Sequence, residues 1–237
     1  MAIGFRQSSS ADIGSVPATT TITKPTGTAS TDVLVVVFGN DRSGTPVNAT
    51  TAPAGWTGIF TTVTGTGGGN TITLDGWWAL GSVANLGFAN NHTGVALQQG
   101  WVCLAFTGVD TTTPVDATGT TNSGTGASSI TANAVTPATT GAVKVIALIS
   151  WLAGTWSFTG GTLKQNAGTN ADASCGYDLT ALPAGVSTGT TVCSTTGGST
   201  GQILCAAPFA LKPAGGGAAA QTPGPPFPGL PPAVLAM

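Results

Sequence analysis

Residues Val33 to Phe38 read Val-Leu-Val-Val-Val-Phe, six apolar residues in succession, four of them β-branched. β-branched side chains are stiff at χ1 and pack well on a pleated sheet. A strand with one wet face alternates apolar and polar residues. A run without alternation predicts a strand buried on both faces. Trp101 to Phe106 (WVCLAF), Lys144 to Ser150 (KVIALIS) and Gln202 to Leu211 (QILCAAPFAL) have the same character.

Shorter extended stretches lie between them. Pro53-Ala54-Gly55-Trp56 predicts a turn, and Thr57 to Val63 a second strand. Thr64 to Asn70 (TGTGGGN) reads as a loop, then Thr71 to Leu80 as a strand with a bulge at Gly76. Ser128 to Asn133, Thr155 to Phe158, Ala173 to Leu179 and Thr190 to Ser194 read as strands, with a hairpin signal at Ala153-Gly154. Strand-sized runs punctuated by Gly, Pro, Asn and Asp predict an all-β, jelly-roll-like antiparallel two-sheet sandwich. The expected divisions are an N-terminal arm and first strand (1–31), the β-sandwich (32–212) and an extended Gly/Ala/Pro-rich C-terminal arm (213–237).

Composition points the same way. The chain has 237 residues with 36 Gly and 15 Pro, and only 6% of its residues are charged. All eight acids are Asp. Without Glu, and with few Lys and Arg, there is little material for solvated helices. Thr supplies roughly one residue in six. A content of 41% hydrophobic residues, with six Trp and eight Phe, is enough for a sizeable core and argues against disorder. Six scattered cations and a net charge of −2 offer no phosphate-neutralising stripe and no polybasic patch, so neither nucleic acid nor a membrane is an expected partner. Met1 to Gly14 lacks a charged leader followed by an apolar run, and no apolar run is long enough to span a bilayer. Synthesis in a cytoplasm is the expectation.

Catalytic material is sparse. The pattern Gly-x-Ser-x-Gly occurs at Gly185 to Gly189 and at Gly197 to Gly201, but no His follows either. A nucleophile elbow needs a later His and a strand-to-helix turn. Gly65 to Asn70 lacks the Lys-Ser/Thr ending of a phosphate loop and reads as a hairpin loop. His92 falls in a polar loop. Asp110 and Asp116 bracket Thr111 to Val115; they read as turn carboxylates, with a shared Ca²⁺ as the alternative. The reading expects no catalytic residue, no metal and no cofactor. Cys103 and Cys205 lie in apolar runs and read as buried thiols, whereas Cys175 and Cys193 are either buried thiols or a cross-strand disulfide.

Two binding features remain. Trp77 and Trp78 are adjacent, so in a strand they face opposite ways. One belongs in the core; the other can serve as a surface ligand contact, a platform for a sugar or a subunit. The tail from Pro213 carries no charged side chain and is rich in Pro. Pre-extended Pro-rich segments lose little entropy on docking. Pro226, Phe227, Pro228, Leu230, Val234 and Leu235 are therefore the candidate partner-binding residues.

Several stretches together resemble the β-sandwich virion structural proteins of tailed bacteriophages, especially those of actinobacteria. They are Ala2 to Ser10 (AIGFRQSSS), Asp32 to Phe38 with Gly39-Asn40-Asp41, Ala52 to Thr57 (APAGWT), the Trp77-Trp78 strand, and Trp101 to Asp116 (WVCLAFTGVDTTTPVD). The resemblance covers about residues 1–120, extends to 140–212 in general character, and leaves the Pro-rich tail unmatched. It implies a head decoration (cement) or minor tail protein in the virion, contacting major capsid or tail subunits and copies of itself in a symmetric assembly. The alternative is a carbohydrate- or host-surface-binding module of a phage tail. The resemblance brings no active site with it.

Overall fold

The computed structural model describes residues 1–14, 19–43, 52–89, 98–151, 154–165, 172–196 and 202–215. The first half of the chain forms β1 (Gly4–Ile13), β2 (Thr19–Thr21), β3 (Val33–Ser43), β4 (Thr57–Gly58), β5 (Val63–Gly67), β6 (Asn70–Leu80), β7 (Gly87–Ala89) and β8 (Gln98–Thr107). The second forms β9 (Val115–Thr118), β10 (Asn122–Thr125), β11 (Ser129–Ala132), β12 (Ala142–Ser150), β13 (Thr155–Phe158), β14 (Thr162–Gln165), β15 (Asp172–Leu182), β16 (Thr191–Thr196) and β17 (Ile203–Leu211). All pairings are antiparallel. The expected antiparallel sandwich is therefore present.

Each main sheet comes from one half of the chain. The first runs β1-β8-β3-β6-β4, with β5 also on β6; the second runs β10-β17-β12-β15-β14, with β9 also on β17. The two halves repeat one path. In each, the leading strand pairs with the last long strand, which pairs with the first apolar strand, which pairs with the strand after the hairpin. In each, a short early strand pairs with a short late one outside the main sheet: β2 with β7, and β11 with β16, which also takes β13.

The unbroken apolar runs follow from this layering. Val33, Val35 and Val37 enter the core between the main sheets, while Leu34, Val36 and Phe38 enter a second core on the outer face. In β8, Val102, Leu104 and Phe106 face inward and Trp101, Cys103 and Ala105 outward. The outer core is closed by Ile22, Trp56 and Phe88 around the β2–β7 pair. In the second half, Val143, Val145, Ala147 and Ile149 of β12 face inward, and Ile146 and Leu148 meet Ile130, Trp156 and Cys193 beneath the three-stranded sheet.

Several local expectations change. Within the expected N-terminal arm, β1 is built into the first main sheet, pairing with β8 from Gly4 to Ile13. A register shift between Phe5 and Gln7 leaves Arg6 out of the ladder, and its guanidinium grips buried Asp32, with Nε 2.6 Å from Oδ2. The 64–70 loop shrinks to a turn at Gly68-Gly69, because Thr64 to Gly67 pair with β6. Gly76 holds an unbroken register opposite Val37 and is no bulge. Its missing side chain makes room for the Phe60 ring, 2.5 Å from where a methyl would sit. The chain between β12 and β13 changes sheets, so there is no hairpin at 153–154; residue 153 itself lies outside the described residues.

The main sheets pack tightly at Gly39, where a methyl group would fall 1.9 Å from Ile149 Cδ1. Gly39→Ala is expected to cost about 1–3 kcal/mol by overpacking. The expected outcome in urea melts is that Ile149→Ala combined with Gly39→Ala destabilises less than the two single costs added together.

Candidate functional site

The sandwich has two unlike ends. At one, Ile13 pairs with Gln99, Asp41 with Gln98, and Ser43 with Asn70. In the other sheet Ser150 pairs with Asp172 and Leu204, and Thr125 with Ile203. Methyl groups added at Gly65 and Gly67 would meet Ile203, which brings these strand ends together. The described residues that bracket 15–18, 90–97, 152–153, 166–171 and 197–201, with Ser43 before 44–51, thus lie at one end, the loop end.

The opposite end, the base, holds both Met1 and the root of the C-terminal arm. The Met1 amino group donates to Ala214 O at 2.9 Å. Ala214 N donates to Gly108 O at 2.7 Å, and Pro213 bridges Val109. Asp110 N donates to Lys212 O, Lys212 N to Pro114 O, and the Lys212 ammonium lies 3.2 Å from Asp110 Oδ2. The fold therefore extends to Gly215, three residues beyond the expected boundary. Gly108 has φ of +69°, and a methyl there would sit 2.2 Å from Ala2 O, so the base admits only glycine at this position. Beside the arm root lies an apolar hollow of about 280 Å³ lined by Met1, Ile3, Val143, Leu179, Ala181 and Pro213. Met1 is 85% exposed and Leu179 41% exposed, so apolar surface is left open where the arm departs.

The sequence-predicted residues separate as follows. Pro226, Phe227, Pro228, Leu230, Val234, Leu235, His92 and the Gly197 to Gly201 pattern lie outside the described residues. Trp77 is 5% exposed and packs against Phe38 and Phe88 in the outer core. Trp78 is half-buried against the inter-sheet core. Any platform at this pair is Trp78 alone. Asp110 accepts from the backbone N–H groups of Thr112 and Thr113, which hold its carboxyl below the usual range, with Lys212 adding to the effect. Asp116 accepts from Ala138 N and Thr139 N. Asp110 is thus a turn acceptor, as expected, whereas Asp116 lies in β9 and accepts from amides of a distant segment. Ser187 accepts from Gly189 N within a connection between two strands, with no helix after it.

All four cysteines are buried free thiols. The disulfide alternative is overturned: Cys175 belongs to the inter-sheet core and Cys193 to the outer core of the second sheet, on the opposite face of β15. Burial pushes the thiols of Cys103 and Cys205 up to about 12 and that of Cys193 to about 11, and raises Cys175 further. Such thiols are poor nucleophiles.

Two polar features escaped the sequence reading. Near the loop end a buried chain of side chains crosses the first sheet: Thr20 donates to Gln99, Gln99 to Asn40 at 2.7 Å, and Asn40 to Thr73 at 3.4 Å. On the second sheet Lys144 is 7% exposed, and its ammonium donates to Thr191 Oγ1 at 2.8 Å and Gly189 O at 3.2 Å. Burial lowers its pKa, with Asp178 across the strand pair opposing. A lone Lys within KVIALIS reads as the edge of an apolar run; only the roof over its strand shows that its amine is enclosed.

These features define an all-β scaffold whose base ties Met1 to the root of the C-terminal arm. Comparison of the chain with protein-family models, with curated proteins and with solved structures returns no match.

Raised thiol pKa values make stability depend on pH. An unfolded thiol ionises near about 8.5. The folded thiols stay protonated, so above that pH unfolding releases protons and stability falls. The stability due to thiol burial is present below about pH 8.5 and is lost toward the folded values of about 11 to about 12. Tyr177, raised by burial, acts in the same direction at higher pH. The urea midpoint is expected to fall as pH rises above about 8.5, and less steeply in the Cys103→Ala/Cys205→Ala variant.

Proposed function

We propose that this chain is a non-enzymatic structural protein of a bacteriophage particle, a capsid decoration (cement) or minor tail protein. Its partners are major capsid or tail subunits and further copies of itself. One observation carries the reading: the chain's first residue and the root of its Pro-rich arm are bonded to each other at the base, Met1 N to Ala214 O at 2.9 Å. The root of the arm is fixed beside an open apolar hollow at one end of the sandwich, the end opposite Ser43, Gln98 and Ser150. That polarity suits a protein held on a particle by one end and displaying the other. The 22 residues after Gly215 carry no charge and present Phe227, Leu230, Val234 and Leu235 as apolar anchors. As extended polyproline-like chain they reach about 70 Å at about 3.1 Å per residue, enough to cross to a neighbouring subunit. A second attachment through an arm raises avidity without enlarging the first face. Low net charge also keeps repulsion small where many copies crowd together.

The test is cryo-EM of particles assembled with full-length protein and with a chain ending at Gly215. The shortened chain is expected to keep its melting temperature and to lose most of its occupancy. Undiminished loading would remove the arm from the attachment, and absence of the full-length chain from particles would overturn the reading.

A further inference from the structure

A cavity lies beside Lys144. It encloses about 260 Å³ between the outer face of β12 and β15 and the connection that runs from β15 to β16. Lys144 and Asp178 form its floor as directly opposed residues on neighbouring strands. Phe158 walls one side, and Thr188, Thr190 and Thr191 contribute to the roof.

Each group has spare capacity. A lysine ammonium has three donors; two are met by Gly189 O and Thr191 Oγ1. One Asp178 oxygen accepts from Thr180 N at 2.9 Å. Among the described residues the two ion pairs are Arg6–Asp32 and Lys212–Asp110, so Lys144 and Asp178 are not paired with each other. An enclosed cation without an ion partner is costly unless something polar completes its shell. Phe158 lies against Gly176 and is fixed by it: a methyl there would come within 2.3 Å of the ring. The roof is pinned too, by Thr188 N to Val135 O at 2.9 Å and Gly185 N to Pro137 O at 2.7 Å.

A single donor, a single carboxylate acceptor, several hydroxyls and an aromatic wall fit a small neutral polyol. Its hydroxyls accept a hydrogen bond from Lys144 and donate one to Asp178, and its C–H face rests on Phe158. A bare anion would meet Asp178; a bare cation would meet Lys144. We propose that this cavity binds one monosaccharide ring, with Lys144 and Asp178 as the orienting residues. The site lies on the second sheet, away from Trp78 on the first, and it stands whether or not the chain belongs to a virion.

The test is saturation-transfer NMR and calorimetry of the full chain with glucose, galactose, mannose and N-acetylglucosamine, with acetate and phosphate as the anionic probes. Saturable millimolar binding of at least one sugar is expected, the ordinary reach of a ligand of about a dozen heavy atoms. Asp178→Asn and Lys144→Met are each expected to weaken it about tenfold or more, with Trp78→Ala unchanged. Asp178→Asn preserves shape, so a melting temperature equal to the parent's separates lost binding from lost fold. The proposal is overturned if no sugar binds, if only the anions bind, if both site variants bind like the parent, or if Trp78→Ala alone abolishes binding. None of these outcomes bears on where the chain sits in a particle.

Discussion

Four strands in this protein have no polar face to turn to water. β3, β8, β12 and β17 are apolar on both sides over most of their length. A sheet built around such strands must be covered twice. The two main sheets supply one cover each by packing together, and the second cover is made by the β2–β7 pair on one side and the β11–β16–β13 sheet on the other. Everything else is arranged around that need. The short strands exist as roofs, and Trp56, Phe88 and Trp156 are the large side chains that fill the space beneath them.

The same constraint sets the chemistry. With both faces of each central strand dry, titratable groups are displaced to the ends and to the seams under the roofs. The cysteines lie within the dry layers and are held protonated. Asp110 and Asp32 sit at turns and Asp116 in β9, and they satisfy backbone amides or a cation. Lys144, like buried Asp41 and Asp75 in the first sheet, is carried on a strand of a main sheet; it lies where the second roof has a gap, and the gap is lined with groups that hydrogen-bond. The base is a different kind of feature: a short network of backbone bonds ties Met1, the 108–114 turn and the arm root into one anchor.

Legibility followed the range of the interactions. The strands of the apolar runs were readable because a β-branched run is a local property of the sequence. Gly76 was misread as a bulge because its reason is a ring from another segment, Phe60, resting where a side chain would be. Trp77 and Trp78 were correctly placed on opposite faces, but which face was covered depended on Phe88, arriving from a later strand. Cys175 and Cys193 look like possible partners along the chain and are separated by the thickness of a sheet. The Lys144 cavity had no linear signature, since its parts come from β12, β13, β15 and the connection before β16.

By itself the sequence determined the class. Scarce charge, absent Glu, abundant Thr and unbroken β-branched runs leave an antiparallel sandwich as the means of burying so much apolar surface, because local backbone preference and two-sided burial agree. Tertiary structure alone decided the path. Each half of the chain completes its own sheet, both halves repeat one strand order, and Met1 meets Ala214 at one end. Those outcomes rest on pairings between residues far apart in the chain, 103 positions for Gly4 and Thr107, and no local pattern of side chains encodes which apolar strand will lie beside which.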